Sequence, residues 1–134
     1  MQPNDFTLSV DEENDDTGLV DQDYTRHEEY LNRSIYIGEN HSLSARDTIS
    51  FYRTPPKPNG NFKGVGKSAF KLSEDFTVVG VDSETTLTSP AIMEVSFSIP
   101  VGLTPAQTLA FRQRGLSLLD DDALVAALID QLTV

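Results

Sequence analysis

The chain has 134 residues, the usual size of one domain, and its 38% hydrophobic and 23% charged residues suit a folded globular protein better than a disordered one. Ten Lys and Arg stand against 21 Asp and Glu, a formal net charge of -11, which taken whole argues against a polyanionic partner. The absence of cysteine excludes disulfides, thiol catalysis and zinc–thiolate sites, and no apolar run approaches the ~18 residues of a membrane-spanning helix.

In chain order, MQPNDFTLSVDEENDD has no basic segment followed by an apolar one, so no secretory signal is expected and the chain is cytosol-compatible. Phe6, Leu8 and Val10 alternate with Thr7 and Ser9, which predicts a strand ending in the acidic DEENDD turn. Residues 19–31 are ambiguous, polar with scattered Leu19, Val20, Tyr24, Tyr30 and Leu31. Ile35 and Ile37 predict a short strand stopped by Gly38, and Ile49 and Phe51, alternating with Thr48, Ser50 and Tyr52, predict another. That strand must finish before TPPKPNG, because prolines cannot donate ladder hydrogen bonds and Asn59-Gly60 favours a tight turn.

The chain is then expected to reverse into NFKGVGKSAFKLSEDFTVVG. In a strand, residues two apart share a face, so Lys63, Lys67 and Lys71 would project from one side, with Phe62 and Phe70 on the other. VDSETTLTSP, residues 81–90, reads as a polar loop. AIMEVSFSIP is the clearest strand, with Met93, Val95, Phe97 and Ile99 on one face and Glu94, Ser96 and Ser98 on the other. One greasy and one polar face describe a half-covered antiparallel sheet.

Here the period changes. Thr104-Pro105-Ala106-Gln107 predicts a helix start, with Thr as N-cap, Pro at the first helical position and Gln completing a capping box. Leu109, Leu116 and Leu119 fall near one stripe, although Gly115 in mid-helix costs about 1 kcal/mol relative to Ala. The Asp120-Asp121-Asp122 run breaks the pattern and caps a second helix carrying Leu124, Leu128 and Leu132, with Val125 and Ile129 beside them. Strands followed by helices give an α+β class. Two apolar helices over about five strands make a thin core, so a homodimer in which each chain's helices help to cover the partner's sheet would bury more apolar surface.

Charge is partitioned along the chain. Residues 1–29 hold ten acids and one base, Arg26, whereas residues 48–73 hold Arg53, Lys57, Lys63, Lys67 and Lys71 and no acid. This +5 segment can attract a polyanion locally, because screening confines charge effects to roughly 10 Å. Its plainer explanation is a solvated strand pair with lysines guarding an edge.

Nothing points to catalysis. GVGKS at 64–68 lacks the first glycine of a phosphate loop, since position 61 is Asn. The acidic stretch from Glu13 has Tyr24 where a calcium loop needs its bidentate Glu, and so reads as a solvated turn. His27 and His41 lack the spacing of a metal site, and no serine sits in a nucleophile elbow. No enzyme, metal or cofactor is expected.

RTPPKPNGNFKG at 53–64, PAIMEVSFSIPVG at 90–102 and LTPAQTLAFRQRGLSLLDDDALVAALIDQL at 103–132 together resemble the coat proteins of single-stranded RNA bacteriophages, the levivirus type. The resemblance covers roughly residues 46–134; residues 1–45 match only in outline, as strand, acidic turn and strand. It implies one coat-protein domain over 1–134: an N-terminal hairpin region (1–45), the main strands of a five-stranded antiparallel sheet (46–102) and two C-terminal α-helices (103–134). It also implies an interlocked homodimer, with Leu109, Leu116, Leu119, Leu124 and Leu128 as interface residues.

Such dimers assemble into an icosahedral shell around viral single-stranded RNA, a virion component made in the bacterial cytoplasm. In several members a dimer also binds an RNA hairpin and represses translation. The implied RNA contacts, on the exposed sheet face, are Arg53, Lys57, Asn61, Lys63, Lys67, Glu94 and Ser96. The lysines would neutralise phosphates, and Asn61, Glu94 and Ser96 would hydrogen-bond base edges or sugar hydroxyls. Where several members carry a stacking Tyr, position 92 is Ile; that weighs against specific hairpin recognition more than against packaging, with Tyr52 as the substitute platform on offer. The loop at 81–90 corresponds to the one gathered around the shell's symmetry axes. The rival readings are a dimeric β-sheet RNA-binding regulator that forms no shell, and a small acidic module that binds proteins through its apolar helices.

Overall fold

The computed structural model describes residues 4–132, in which six strands precede two helices: β1 Asp5–Val10, β2 Val20–Tyr30, β3 Arg33–Gly38, β4 Asp47–Thr54, β5 Val65–Val79, β6 Thr86–Pro100, α1 Pro105–Leu119 and α2 Asp122–Ile129. The strands form one sheet in chain order, and each pair from β1 to β5 is antiparallel. The α+β class is as the sequence predicts. The N-terminal hairpin β1–β2 is continuous with the other strands, so hairpin and main sheet make a single six-stranded layer. The chain falls into two compact units, the sheet up to Ile99 and the helical unit from Pro100.

The sheet's core is aromatic. Tyr24, Tyr36 and Ile49 are buried, with Phe6, Phe51 and Leu72 packed against them. Phe6 stacks on Tyr24 at 5.3 Å and meets Tyr36 edge-on at 4.8 Å, and Phe51 stands perpendicular to Tyr36 at 5.6 Å. Such offset and T-shaped pairs each add about 0.5–1.5 kcal/mol beyond area burial. The ambiguous segment 19–31 is β2, and its pattern was obscured because Gln22 and Arg26 share a face with Tyr24. Arg26 earns that place by lying over the Tyr36 ring, 5.8 Å from its centroid, and by pairing with Glu29 at 3.0 Å. A register shift between Arg26 and Glu28 displaces His27.

The acidic run after β1 is a turn built by its own carboxylates. Asp11 accepts the N–H groups of Asp15 (3.2 Å) and Asp16 (2.9 Å), and Asp15 accepts both the N–H and the hydroxyl of Thr17. These bonds hold the Asp15 carboxyl below its ordinary value. Between β3 and β4, a Cβ at Gly38 would lie 2.1 Å from Asp47 Oδ2, so the Asp47 carboxylate turns over a position without a side chain.

Two strand boundaries differ from expectation. Asn59 and Phe62 form a two-residue hairpin bridge, and the chain then passes Gly64 (φ +94°) packed on the Lys57 backbone before β5 begins at Val65. Lys63 therefore precedes the strand and does not share the pleat of Lys67 and Lys71. GVGKS opens an antiparallel strand rather than a helix, so it cannot cradle a phosphate in the manner of a phosphate loop. The loop expected at 81–90 is also shorter. Thr86–Pro90 already belong to β6, and the reversal is closed by Gly80 N–H to Thr85 O at 2.7 Å and by Asp82, which accepts the N–H groups of Glu84 and Thr85. The hydrogen bonds from Thr85 and Glu84 depress the Asp82 carboxyl to about 2.

In the helical unit the capping box of α1 forms as predicted. Gln107 N–H donates to Thr104 Oγ1 and the Thr104 N–H to Gln107 Oε1. Asp121, within the predicted Asp120–Asp122 run, caps α2 by accepting from Ala123 and Leu124. α2 stops at Ile129, so Leu132 lies beyond the helix, with φ +53°, and does not extend the Leu124–Leu128 row.

Candidate nucleic-acid interface

Register assigns the sheet's two faces. Phe6 opposes Tyr24, Tyr36 opposes Ile49, Ile49 opposes Leu72 and Phe51 opposes Phe70, so these side chains share the aromatic face. Phe97 of β6 joins them, its ring 6.4 Å from that of Phe70. The alternate residues form the polar face: Arg33 on β3; Thr48, Ser50, Tyr52 and Thr54 on β4; Lys67, Ala69, Lys71 and Ser73 on β5; and, by parity with Phe97, Glu94, Ser96 and Ser98 on β6.

This sorts the candidate residues. Lys67, Glu94 and Ser96 lie together on the polar face, joined by Lys71. Asn61 sits in the Asn59–Phe62 turn, and Lys57 and Lys63 flank it on the exposed connection between β4 and β5. Arg53 does not join them. It pairs in register with Ser68 on the aromatic face and donates through Nε (3.1 Å) and Nη2 (2.8 Å) to the Leu31 carbonyl, closing the β2–β3 end of the sheet.

Two residues of this face lay outside the sequence candidates. Arg33 projects from β3 directly opposite Tyr52, with its guanidinium 4.6 Å from the Tyr30 ring centroid. The Tyr30 hydroxyl donates to Glu28, and that carboxylate pushes the phenol above its ordinary value. Neither Arg33 nor Tyr30 lies in the +5 segment, so charge counting along the chain missed them. The strand alternation of residues 33–37 together with 48–52 would have found Arg33.

On the aromatic face, Phe51, Phe70 and Phe97 line an open hollow of about 660 Å³ with Arg53, Ser34 and Ser68 on its walls. Neither helix buries a residue in the single chain. Leu109, Leu116, Leu119, Leu124 and Leu128 all remain about half exposed. α1 also carries Phe111 and Leu118, seven residues apart and on the side away from Leu109 and Leu116, a second apolar stripe that the sequence pattern did not single out.

At the opposite end of the sheet, Glu12, Asp21, Asp23, Glu39, Asp47 and Glu74 line a second hollow. Burial raises the carboxyl values of Asp47 and Glu74. His41 Nδ1 accepts the Asp47 N–H at 3.2 Å, and His27 lies 3.7 Å from Glu28. Among the described residues no group of three His, Asp or Glu side chains is placed to hold a metal ion, and no helix is long and apolar enough to cross a membrane.

Neither a family model nor a curated protein matches the sequence. Solved structures do match the fold. A chain of the virus-like particle of bacteriophage AVE019 superposes with a TM-score of 0.75 at 17% identity, covering 100% of this chain and 99% of that one. The virus-like particle of bacteriophage NT-214 gives 0.69 at 15% identity with the same coverage. That of Wenzhou levi-like virus 4 gives 0.65 at 18% identity, over 79% of this chain and 71% of that one. The chain has the fold of the subunits in these phage and levi-like virus particles, which agrees with the resemblance carried by its C-terminal motifs.

Proposed function

We propose that residues 1–134 act as one coat-protein domain of a single-stranded RNA bacteriophage, a structural protein with no catalytic role. It forms a homodimer, assembles into a closed icosahedral shell and packages viral RNA as part of the virion. The observation that carries this reading is the end-to-end match to subunits of virus-like particles, sheet and helices alike. The dimer is supported by the two helices, none of whose apolar residues is fully buried in the single chain, and by the aromatic hollow around Phe51, Phe70 and Phe97. Exposed apolar area of that extent is characteristic of an interface.

RNA packaging is supported by the polar face, where Lys67, Lys71 and Arg33 converge; Lys57, Lys63 and Asn61 extend it along the β4–β5 connection, and Glu94 and Ser96 along β6. Three face cations neutralising three phosphates imply a slope of about -2 in log K against log salt for a single strand. Binding of a particular RNA hairpin, with translational repression, is the finer form of the same reading.

The test is expression of the chain alone. Negative-stain microscopy is expected to show uniform closed particles enclosing nuclease-protected RNA. Small species only, with no particles across a range of salt and protein concentration, refute the coat reading.

A further inference from the structure

We propose that an intersubunit ion pair sets the direction in which α1 of a second copy crosses the aromatic face, with its Arg112 seated against Asp47 and Glu74. This rests on the homodimer reading and adds the contact that selects one orientation among those that apolar packing alone allows. Each half of the contact is a charge stranded in an apolar surface. On β5 the aromatic face runs Phe70, Leu72, Glu74, Phe76 and Val78, and on β4 it runs Asp47, Ile49 and Phe51. Asp47 and Glu74 oppose one another in register, so two carboxylates stand side by side within that apolar field. Among the described residues no ion pair or hydrogen bond reaches either carboxylate.

Their surroundings do not neutralise them. Glu12, Asp21, Asp23 and Glu39 line the same hollow, and His41 accepts the Asp47 N–H at Nδ1. Elsewhere on this face the charges are already matched: Arg26 pairs with Glu29 at 3.0 Å, and Arg53 donates to the Leu31 carbonyl.

Arg112 is the counterpart. It lies three residues after Leu109 and four before Leu116, inside the leucine stripe that the dimer buries, whereas Arg114 projects from another side of the helix. α1 has no Asp or Glu, and among the described residues no carboxylate pairs with Arg112. A guanidinium carried into an apolar contact without an anionic acceptor is strongly destabilising. The aromatic face presents its unmatched carboxylates at one end of β4 and Arg53 at the other. A helix laid the opposite way brings Arg112 toward Arg53 and leaves the carboxylates unpaired, so charge discriminates between the two directions. The guanidinium fork can bridge both carboxylates and stays paired with one of them alone. Glu74→Gln therefore relieves the crowding of like charge while Asp47 keeps the contact.

The test is charge exchange between full chains, read by sedimentation equilibrium. Arg112→Glu sets a third carboxylate against Asp47 and Glu74, and Asp47→Lys with Glu74→Lys sets two ammonium groups against Arg112. Each variant alone is expected to lose about a thousandfold in dimer affinity, about thirtyfold for each of the two contacts that twofold symmetry creates. Mixed in equal amounts, the two variants meet with opposite charges at both contacts and are expected to form heterodimers with an affinity near the parent's. Near-ultraviolet dichroism matching the parent's establishes that each variant is folded. Where the lysine variant does not fold, Asp47→Asn with Glu74→Gln replaces it, and its combination with Arg112→Met is expected to lose less than the two separate losses together. If a charge-reversed variant dimerises as the parent does, if the mixture recovers nothing, or if the losses add, the ion pair is refuted and the apolar dimer stands. If the parent chain is itself a monomer at micromolar concentration, the homodimer reading fails.

Discussion

Leu116 tests the proposed dimer most directly. It lies on α1 with 49% of its surface exposed in the single chain, and its stripe neighbours Leu109 and Leu119 are 50% and 54% exposed. Leu116→Ala removes three carbons, each worth about 0.8 kcal/mol when fully buried. About half of that burial is still to be gained on association, so the loss is about 1.2 kcal/mol per protomer and about 2.4 kcal/mol per twofold dimer. The dimer dissociation constant should therefore rise roughly 50-fold. Alanine is the better helix former, so α1 itself is not weakened. Sedimentation equilibrium over a range of concentrations measures the constant, and near-ultraviolet dichroism of the Tyr24–Tyr36–Phe51 cluster should stay unchanged. Leu43→Ala, at a fully exposed position, is the control. A parent chain that sediments as a monomer at micromolar concentration, or a Leu116→Ala variant that dimerises as tightly as the parent, would falsify the covering role of the helices.

Gly64→Ala should destabilise the β4–β5 connection by about 1–3 kcal/mol, because the new Cβ would fall 2.5 Å from the Lys57 carbonyl oxygen, a backbone atom, at a φ of +94° that side chains rarely adopt; urea denaturation followed by tyrosine fluorescence reads this, and an unchanged midpoint refutes it. Asp47 and Glu74 oppose one another in register, with Glu12 nearby, while His41 draws Asp47 back down. Burial raises both carboxyls above their ordinary values of 3.8 and 4.5, and the Asp47 charge adds to the shift of Glu74. Folding therefore favours their protonated forms; that stabilisation is complete below the ordinary values and is lost as pH rises through the folded ones. Glu74→Gln should raise the thermal midpoint at pH 7 and flatten its decline as pH rises above 4.5, and a lowered midpoint at pH 7 would contradict this. Asp82 has the opposite sign: its turn bonds contribute above pH 3.8 and are lost as pH falls toward about 2.

Legibility followed the strength of local patterning. The capping box at Thr104, the Asp121 cap and the strand around Phe97 were readable because each depends on residues a few positions apart. β2 was not, because its aromatic-face positions include Gln22 and Arg26, polar residues that only the neighbouring Tyr24 and Tyr36 explain. Lys63 was assigned to a strand because the alternation extends through it. Gly64, in a left-handed conformation against the Lys57 backbone, resets the pleat one residue later. The resemblance puts Arg53 among the RNA contacts of the exposed face, whereas its pairing with Ser68 puts it on the opposite side. Arg33, on another strand and in another charge environment, replaces it on that face. The polar face is thus a property of register across β3, β4 and β5, which no single stretch of sequence contains.

The net charge of -11 bears on RNA only through distance. On the polar face Asp21 and Asp23 lie at the β1–β2 edge, where they accept the hydroxyls of Ser9 and Thr7, and the lysines lie on β5. Three strand spacings of about 4.8 Å separate β2 from β5, roughly 14 Å. At physiological salt the screening length is about 8 Å, so these carboxylates barely oppose a phosphate held at Lys67 and Lys71; at 0.01 M it is about 30 Å and they oppose it fully. Asp21→Asn with Asp23→Asn keeps an acceptor for each hydroxyl while removing two charges. The double variant should therefore bind single-stranded RNA more tightly than the parent at 0.01 M salt, with the difference vanishing near 0.15 M. A gain that persists unchanged at 0.15 M would mean that RNA reaches the β1–β2 edge itself, and would move the interface away from Lys67 and Lys71.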